Sequence, residues 1–336
     1  MATYKKDKGL NVKSYTSDPD RTYPSGFEGN LYYNSSDGQF KYIGIGTGAW
    51  ASGGNLNQAR SLISGAGIQT AALAFGGDGS PVPAAGTDTE SYNGSSWTEV
   101  ATVNSSRYGA AGVGLYTAAI MAGGANDPST VANLDVVESW DGSSWTEVSE
   151  INTGRSQMSG RAAGTQTAGL IFGGGNTYPG TNQLAVTESW DGSSWTEVSD
   201  LNTARVGIAG SGSSTAALAS AGAAPPPTSV ANVESWDGSS WTETTDVNTA
   251  RNIVGGSGTS TSTLIFGGRS PNKANTESWN GTAWTEMADI ASARYGIGSA
   301  GASNTSSLAF GGVAPPNTTS TEEWTITHAF KKVTTG

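Results

Sequence analysis

The chain has 336 residues, enough for one large all-β domain or two ordinary ones, and its net charge of −11 disfavours nucleic-acid binding, because phosphate contacts need a basic face. It has no cysteine and one histidine, His328, which excludes disulfides, thiolate nucleophiles and metal centres built on Cys or His. Its 48 glycines suggest low complexity, but 11 tryptophans are foreign to disordered chains.

The N-terminus, MATYKKDKGLNVKSYTSD, lacks the apolar core of a secretory signal, and no apolar run is long enough to span a bilayer. Synthesis in a cytoplasm and no membrane insertion are therefore expected. Residues 1–30 show no repeat and carry Lys5, Lys6, Lys8 and Lys13 against an acidic body. They read as an extended arm that anchors the chain to a neighbouring subunit. The segment EGNLYYNSSDGQFKY, from Glu28, then reads as a small aromatic hairpin.

A repeat begins at Trp50. Its tryptophan returns at Trp97, Trp145, Trp195, Trp241 and Trp284, in steps of 47, 48, 50, 46 and 43 residues. Ten residues after each stands an arginine: Arg60, Arg107, Arg155, Arg205, Arg251 and Arg294. A segment of small residues follows, then an apolar run ending in a glycine pair, as in LAFGG at Gly76-Gly77; the fourth copy has Ala221-Gly222 instead. After a stretch of variable length comes a second aromatic: Tyr92, Trp140, Trp190, Trp236, Trp279 and Trp324. Every tryptophan occupies one of these two repeat positions. Each unit holds four strand-length segments punctuated by Gly, Asp-Gly and Pro, with no long helical period, and four strands in about 45 residues is the size of a propeller blade.

The phrase ESWDGSSWTEV, from Glu138, is then the hairpin between third and fourth strands, with Asp-Gly or Asn-Gly at its tip. Its two aromatics are the expected glue between blades. The units are out of phase with the chain ends: Trp50 is a fourth strand without a third, and Trp324 a third without a fourth. An open solenoid would need polar caps instead. Pairing the two ends closes a ring of six blades.

These residues resemble kelch repeats over residues 46–328: a glycine pair after strand two, an aromatic in strand three, a tryptophan in strand four and an arginine leading into the next blade. Ala221 and Tyr92 are the departures. Trp140-Asp141 is shared with WD40 repeats, but the Gly-His element of that family is absent. The resemblance implies an all-β, six-bladed kelch-like β-propeller closed by an N-terminal strand, preceded by an arm and hairpin (1–45) and followed by a tail (329–336). Residues 28–60 also resemble segments of bacteriophage virion and tail-fibre proteins, and the near-identical Ser/Thr/Gly-rich array resembles those of marine and freshwater phages. That second resemblance implies a non-enzymatic virion structural protein, a tail, fibre or decoration component. Its partners would be other virion proteins through the arm and a host-surface glycan or protein at the propeller face.

Enzymatic readings fare less well. SWDGSSW is similar to a sialidase Asp-box, but the Asp-to-Gly gap is one residue short, and Asn93 and Asn280 replace the Asp in two copies. Glu138 and Glu188 recur in every unit, which suits a framework better than the two placed carboxylates of a glycosidase. The copper site of galactose oxidase, also built on kelch-like blades, needs His, Tyr and a crosslinked Cys. No DxDxDG calcium run occurs. The expectation is no catalytic residue, no cofactor and no metal. The alternatives are a kelch-type protein-binding module in a cell and a sialidase-like carbohydrate-active enzyme.

The six arginines have two readings. One is a repeated ion pair or backbone contact with the third-strand glutamates. The other is a basic ring around the channel mouth, the candidate binding face for an acidic ligand. The distance from Arg to the third-strand aromatic varies (32, 33, 35, 31, 28 and 30 residues), and the variation lies in the loop between strands two and three. That loop shares a face with the arginines. Binding residues concentrate on variable loops held by a rigid scaffold.

Overall fold

The computed structural model describes residues 13–15, 31–79, 86–126, 133–158, 163–175, 182–226 and 228–333. No helix occurs among them. The chain forms two compact units, residues 49–325 and residues 1–48 with 326–336.

Residues 49–325 form a six-bladed β-propeller. The first blade is Ser64–Ile68, Ala71–Phe75, Thr89–Tyr92 and Trp97–Val100, antiparallel from axis to rim. The innermost strands of the next five blades are Ala111–Leu115, Ala163–Thr165, Ala209–Ser213, Gly255–Thr259 and Gly298–Ser303. Each lies beside the next, and Gly298–Ser303 returns to Ser64–Ile68, so the ring is closed. The sixth blade is Gly298–Ser303, Ser306–Phe310, Thr321–Lys332 and, outermost, Gln39–Ser52, which carries Trp50. The Trp50 and Trp324 rings are 5.4 Å apart, and the amide of Gly53 donates to the carbonyl of Thr321 at 2.9 Å. Closure by an N-terminal strand is what the out-of-phase repeat ends require.

Each strand position has a physical reason for its composition. Innermost strands such as SGAGI are small because their neighbours are close: a Cβ on Gly65 would lie 2.3 Å from the carbonyl oxygen of Ser299. Close approach at the axis, not disorder, accounts for much of the glycine. Second strands such as AALAF are buried nearly throughout and read as continuous apolar runs. Outer strands such as WTEV bury Trp and expose Thr and Glu, and charge on an edge strand opposes pairing with another chain. At the hairpin tip, Asp141 Oδ1 accepts from the amides of Ser143 and Ser144 at 2.8 Å, while Gly142 takes a φ of 98°.

The aromatics pair within each blade and link one blade to the next. Third- and fourth-strand rings meet at 4.9 Å for Tyr92–Trp97, 5.4 Å for Trp140–Trp145, 5.2 Å for Trp190–Trp195, 5.4 Å for Trp236–Trp241 and 5.3 Å for Trp279–Trp284. The third-strand indole stays in its own blade, as when Trp140 donates to the carbonyl of Tyr116 at 3.1 Å. The outer-strand indole reaches the preceding blade. Trp145 packs on Phe75 at 5.0 Å and donates to Thr89 Oγ1 at 3.1 Å. The same Phe and Thr contacts serve Trp97, Trp241 and Trp50. Where Trp195 and Trp284 would meet them, the preceding blades carry Ala122 with Val137 and Ser220 with Val233. Trp284 donates instead to the carbonyl of Thr245, and Trp195 Nε1 has no partner among the described residues.

The smaller unit contains the expected aromatic hairpin. Leu31–Asn34 runs antiparallel to the start of Gln39–Ser52, and Tyr33 and Phe40 lie 5.1 Å apart. Lys13–Tyr15 pairs parallel to Leu31–Asn34. The rest of the expected arm, 1–12 and 16–30, lies outside the described residues. The last strand, Thr321–Lys332, runs on past residue 328.

Candidate binding face

The loops between strands two and three share one face with the connections that lead from each outer strand into the next blade. In every blade the second residue of the glycine pair donates to the carbonyl of the next blade's arginine, from Gly77 to Arg107 at 2.9 Å round to Gly312 and Arg60 at 2.8 Å. In the five blades with glycine at the first position, a Cβ there would strike that carbonyl, at 2.7 Å for Gly173; the fourth blade has Ala221 instead. The glycine pair is therefore a joint between blades.

The arginines do not form a ring open to ligand; of the two readings, the structure has the repeated ion pair with the third-strand glutamates. Arg60, Arg107, Arg155, Arg205, Arg251 and Arg294 are all 0–1 % exposed. Each meets the third-strand glutamate of the blade it opens: Arg60–Glu90 at 2.7 Å, Arg107–Glu138, Arg205–Glu234 and Arg251–Glu277 at 2.8 Å, Arg294–Glu322 at 2.5 Å, and Arg155–Glu188. The guanidinium also donates to buried carbonyls, as from Arg205 to Ala221 at 2.7 Å. Burial pushes Arg107, Arg155, Arg205 and Arg251 below the ordinary arginine value, and the facing glutamate opposes that shift. The group stays charged, since arginine does not deprotonate in proteins. A buried charge needs its partner, so these six pairs are committed to the framework.

A third member of this cluster belongs to the same repeat. The backbone and side-chain amides of Asn57 both donate to Glu90 Oε2, at 2.7 and 2.9 Å. Asn104, Asn152, Asn202 and Asn248 do the same for their glutamates, while Ala291 supplies only its backbone amide. Asn202 Nδ2 also donates to the carbonyl of Trp241 at 2.9 Å, tying the lead-in to the outer strand of its own blade. The signal was in the sequence: Asn stands three residues before Arg in five of the six units.

The residue two after each arginine belongs to a feature that no side chain announces. Leu62, Gly109, Gln157, Gly207, Ile253 and Gly296 meet at the axis. Each backbone amide donates to the carbonyl of the residue before it in the ring: Gly109 to Leu62, Gln157 to Gly109, Gly207 to Gln157, Ile253 to Gly207, Gly296 to Ile253 and Leu62 to Gly296, at 2.8–3.2 Å. All six have φ between 50° and 64°. Large residues and glycines alternate. Beside this ring lies a small hollow, a cavity of about 30 Å³ open at its mouth, lined by ring residues and by Ile63, Met158, Ile208, Val254 and Ile297.

The twelve aromatic repeat positions make ring and backbone contacts inside the propeller. Tyr92 differs from its five tryptophan counterparts in donating to Glu323 Oε1 at 2.5 Å; burial first, and that hydrogen bond second, push its hydroxyl up to about 12. Among the described residues no three His, Cys, Asp or Glu side chains are grouped to hold a metal ion, and no helix is long and apolar enough to cross a membrane. On the loop face, Arg269 lies 5.0 Å over the ring of Tyr295. Residues 80–85, 127–132 and 176–181 of the variable loops lie outside the described residues. No protein-family model and no curated protein matches the chain.

Proposed function

We propose that this chain is a non-enzymatic binding and assembly protein of kelch-like type, carried on a bacteriophage virion as a tail, fibre or decoration component. The carrying observation is that the repeated ionisable groups facing the variable loops are already consumed: six arginines and six glutamates are buried against one another. What varies from blade to blade on that face is loop length and content, the feature of a scaffold that displays binding loops. The virion assignment rests on the resemblance of residues 28–60 and of the repeat array to phage proteins.

Charge supports an attachment role for the smaller unit. Residues 1–48 and 326–336 hold 8 basic and 5 acidic side chains, net +3, whereas residues 49–325 hold 9 and 23, net −14. A basic unit on an acidic body suits docking to an acidic neighbour in an assembly.

The direct test is antibody labelling of purified particles in negative stain. Label at a fixed place on the virion supports the reading; label confined to lysate proteins favours the cellular protein-binding module. The loop face has its own test. Exchanging the loops Gly77 to Thr89 and Gly174 to Val186 should change host-cell binding and leave the melting temperature nearly unmoved, because long surface loops add little entropy cost. Unchanged binding would reduce the propeller to a spacer.

A further inference from the structure

We infer that the hollow at the propeller axis is a binding site for an aliphatic side chain of a partner polypeptide, held against Leu62 and Ile253 and hydrogen-bonded through Gln157. Gln157 carries the inference. It lines the hollow, it is 7 % exposed, and its carboxamide has no hydrogen-bond partner among the described residues. Its polar atoms are nevertheless not sealed in, since neither counts among the fully buried orphans. A carboxamide so placed loses most of its water and gains no partner among the described residues, which is unfavourable unless something else supplies one. The framework does not require it: the equivalent positions of other blades hold Leu62 and Ile253 at nearly the same φ, 50° and 51° against 51°.

The rest of the wall limits the chemistry of the occupant. Leu62, Ile63, Met158, Ile208, Ile253 and Ile297 are apolar, and among the described residues no charged or aromatic side chain lines the hollow. A charged ligand would find no counter-ion among the described residues, because Arg155, Arg205 and Arg251 are spent on their glutamates. A sugar ring would find one amide where it needs several polar partners, and no aromatic face to stack on. An aliphatic side chain flanked by its own peptide group matches on both counts: apolar contact for the side chain and one amide for the amide. The enclosed part of the hollow is about 30 Å³, room for no more than the tip of one side chain, so a cofactor or a sugar ring does not enter and the rest of the occupant stays in the open mouth. Glycine at Gly109, Gly207 and Gly296 keeps alternate ring positions free of side chains.

This inference rests on the loop face being the binding face, and its test separates the two. The probe is N-acetyl-leucine methylamide, with N-acetylglucosamine as the sugar comparison. The readout is the methyl NMR spectrum of the full chain, following Leu62, Ile253 and Met158. Saturable shifts of these methyls with the leucine amide, and none with the sugar, are expected. Gln157→Leu, whose backbone has a precedent at Leu62, should weaken the binding about fivefold, the worth of one neutral hydrogen bond, without lowering the melting temperature. The inference is overturned if the leucine amide moves none of these methyls, if Gln157→Leu binds it equally well, or if the sugar moves them and the amide does not. Should loop exchange alter host binding while the axial methyls stay still, the binding face survives and the axial site does not.

Discussion

The amide of Leu62 donates to the carbonyl of Gly296 at 2.8 Å, and that bond completes a ring of six backbone hydrogen bonds around the propeller axis. Three of its residues bear large side chains at positive φ, a conformation that costs about 1–2 kcal/mol each for a non-glycine residue. The alternate glycines leave the room those side chains use. A Cβ at Gly207 would fall 2.6 Å from the amide nitrogen of Ile253. Gly207→Ala should therefore lower stability by about 1–3 kcal/mol, read from a urea midpoint. No change would mean that the ring can widen freely.

The six Arg–Glu pairs carry a second expectation. Glu188→Gln leaves Arg155 as a buried charge without its counter-charge and should cost about 3–5 kcal/mol. Adding Arg155→Met to Glu188→Gln should recover part of that loss, because no buried charge remains and the amide oxygen still accepts from Asn152. Equal losses in the two variants would show that packing rather than charge holds this joint.

Trp195 offers a route to higher stability. Its Nε1 has no partner among the described residues, while Trp97, Trp145 and Trp241 donate to a threonine hydroxyl in the preceding blade. Val137→Thr places that hydroxyl before Trp195 and should add about 0.5–1.5 kcal/mol by chemical denaturation. The matching change Val233→Thr should not help, since Trp284 already donates to the carbonyl of Thr245 at 3.0 Å. A gain from Val233→Thr alone would contradict this account.

Ala221 stands where five blades have the first glycine of the pair, and its φ is 58°. Ala221→Gly should raise the melting temperature by removing about 1 kcal/mol of backbone strain, and Gly173→Ala should lower it. Opposite signs in differential scanning calorimetry are the check.

The hairpin tips set an acid limit. Serine amides and hydroxyls hold Asp141, Asp191 and Asp237 down to about 2. The unfolded carboxyl titrates near 3.9, so the folded state favours the ionised form. Its stabilising contribution is therefore full above about pH 4 and is lost as pH falls toward about 2. Changing all three to Asn, as in Asn93 and Asn280, should flatten the pH dependence of melting in that window. An unchanged slope would place the acid sensitivity elsewhere.

The blade count, the strand order, the hairpin and the ring closure were all legible in the sequence. Six copies of one local demand write the same residues six times: Asp or Asn for the turn, Trp for the large rim contact, Gly where a carbonyl presses in. The Asn that completes each Arg–Glu pair was legible too, three residues before Arg, because one side chain does one job at a fixed place. The fate of the arginines was not, since the sequence shows a guanidinium but not whether it faces water; the fold decides that by closing each second strand, loop and third strand over it. Nor was the axial ring legible. Its bonds join backbone amides of different blades, any residue carries an amide, and Leu62, Gln157 and Ile253 share no chemistry. Only the meeting of six lead-ins around one axis makes them a group, and it leaves the Gln157 carboxamide without a partner among the described residues.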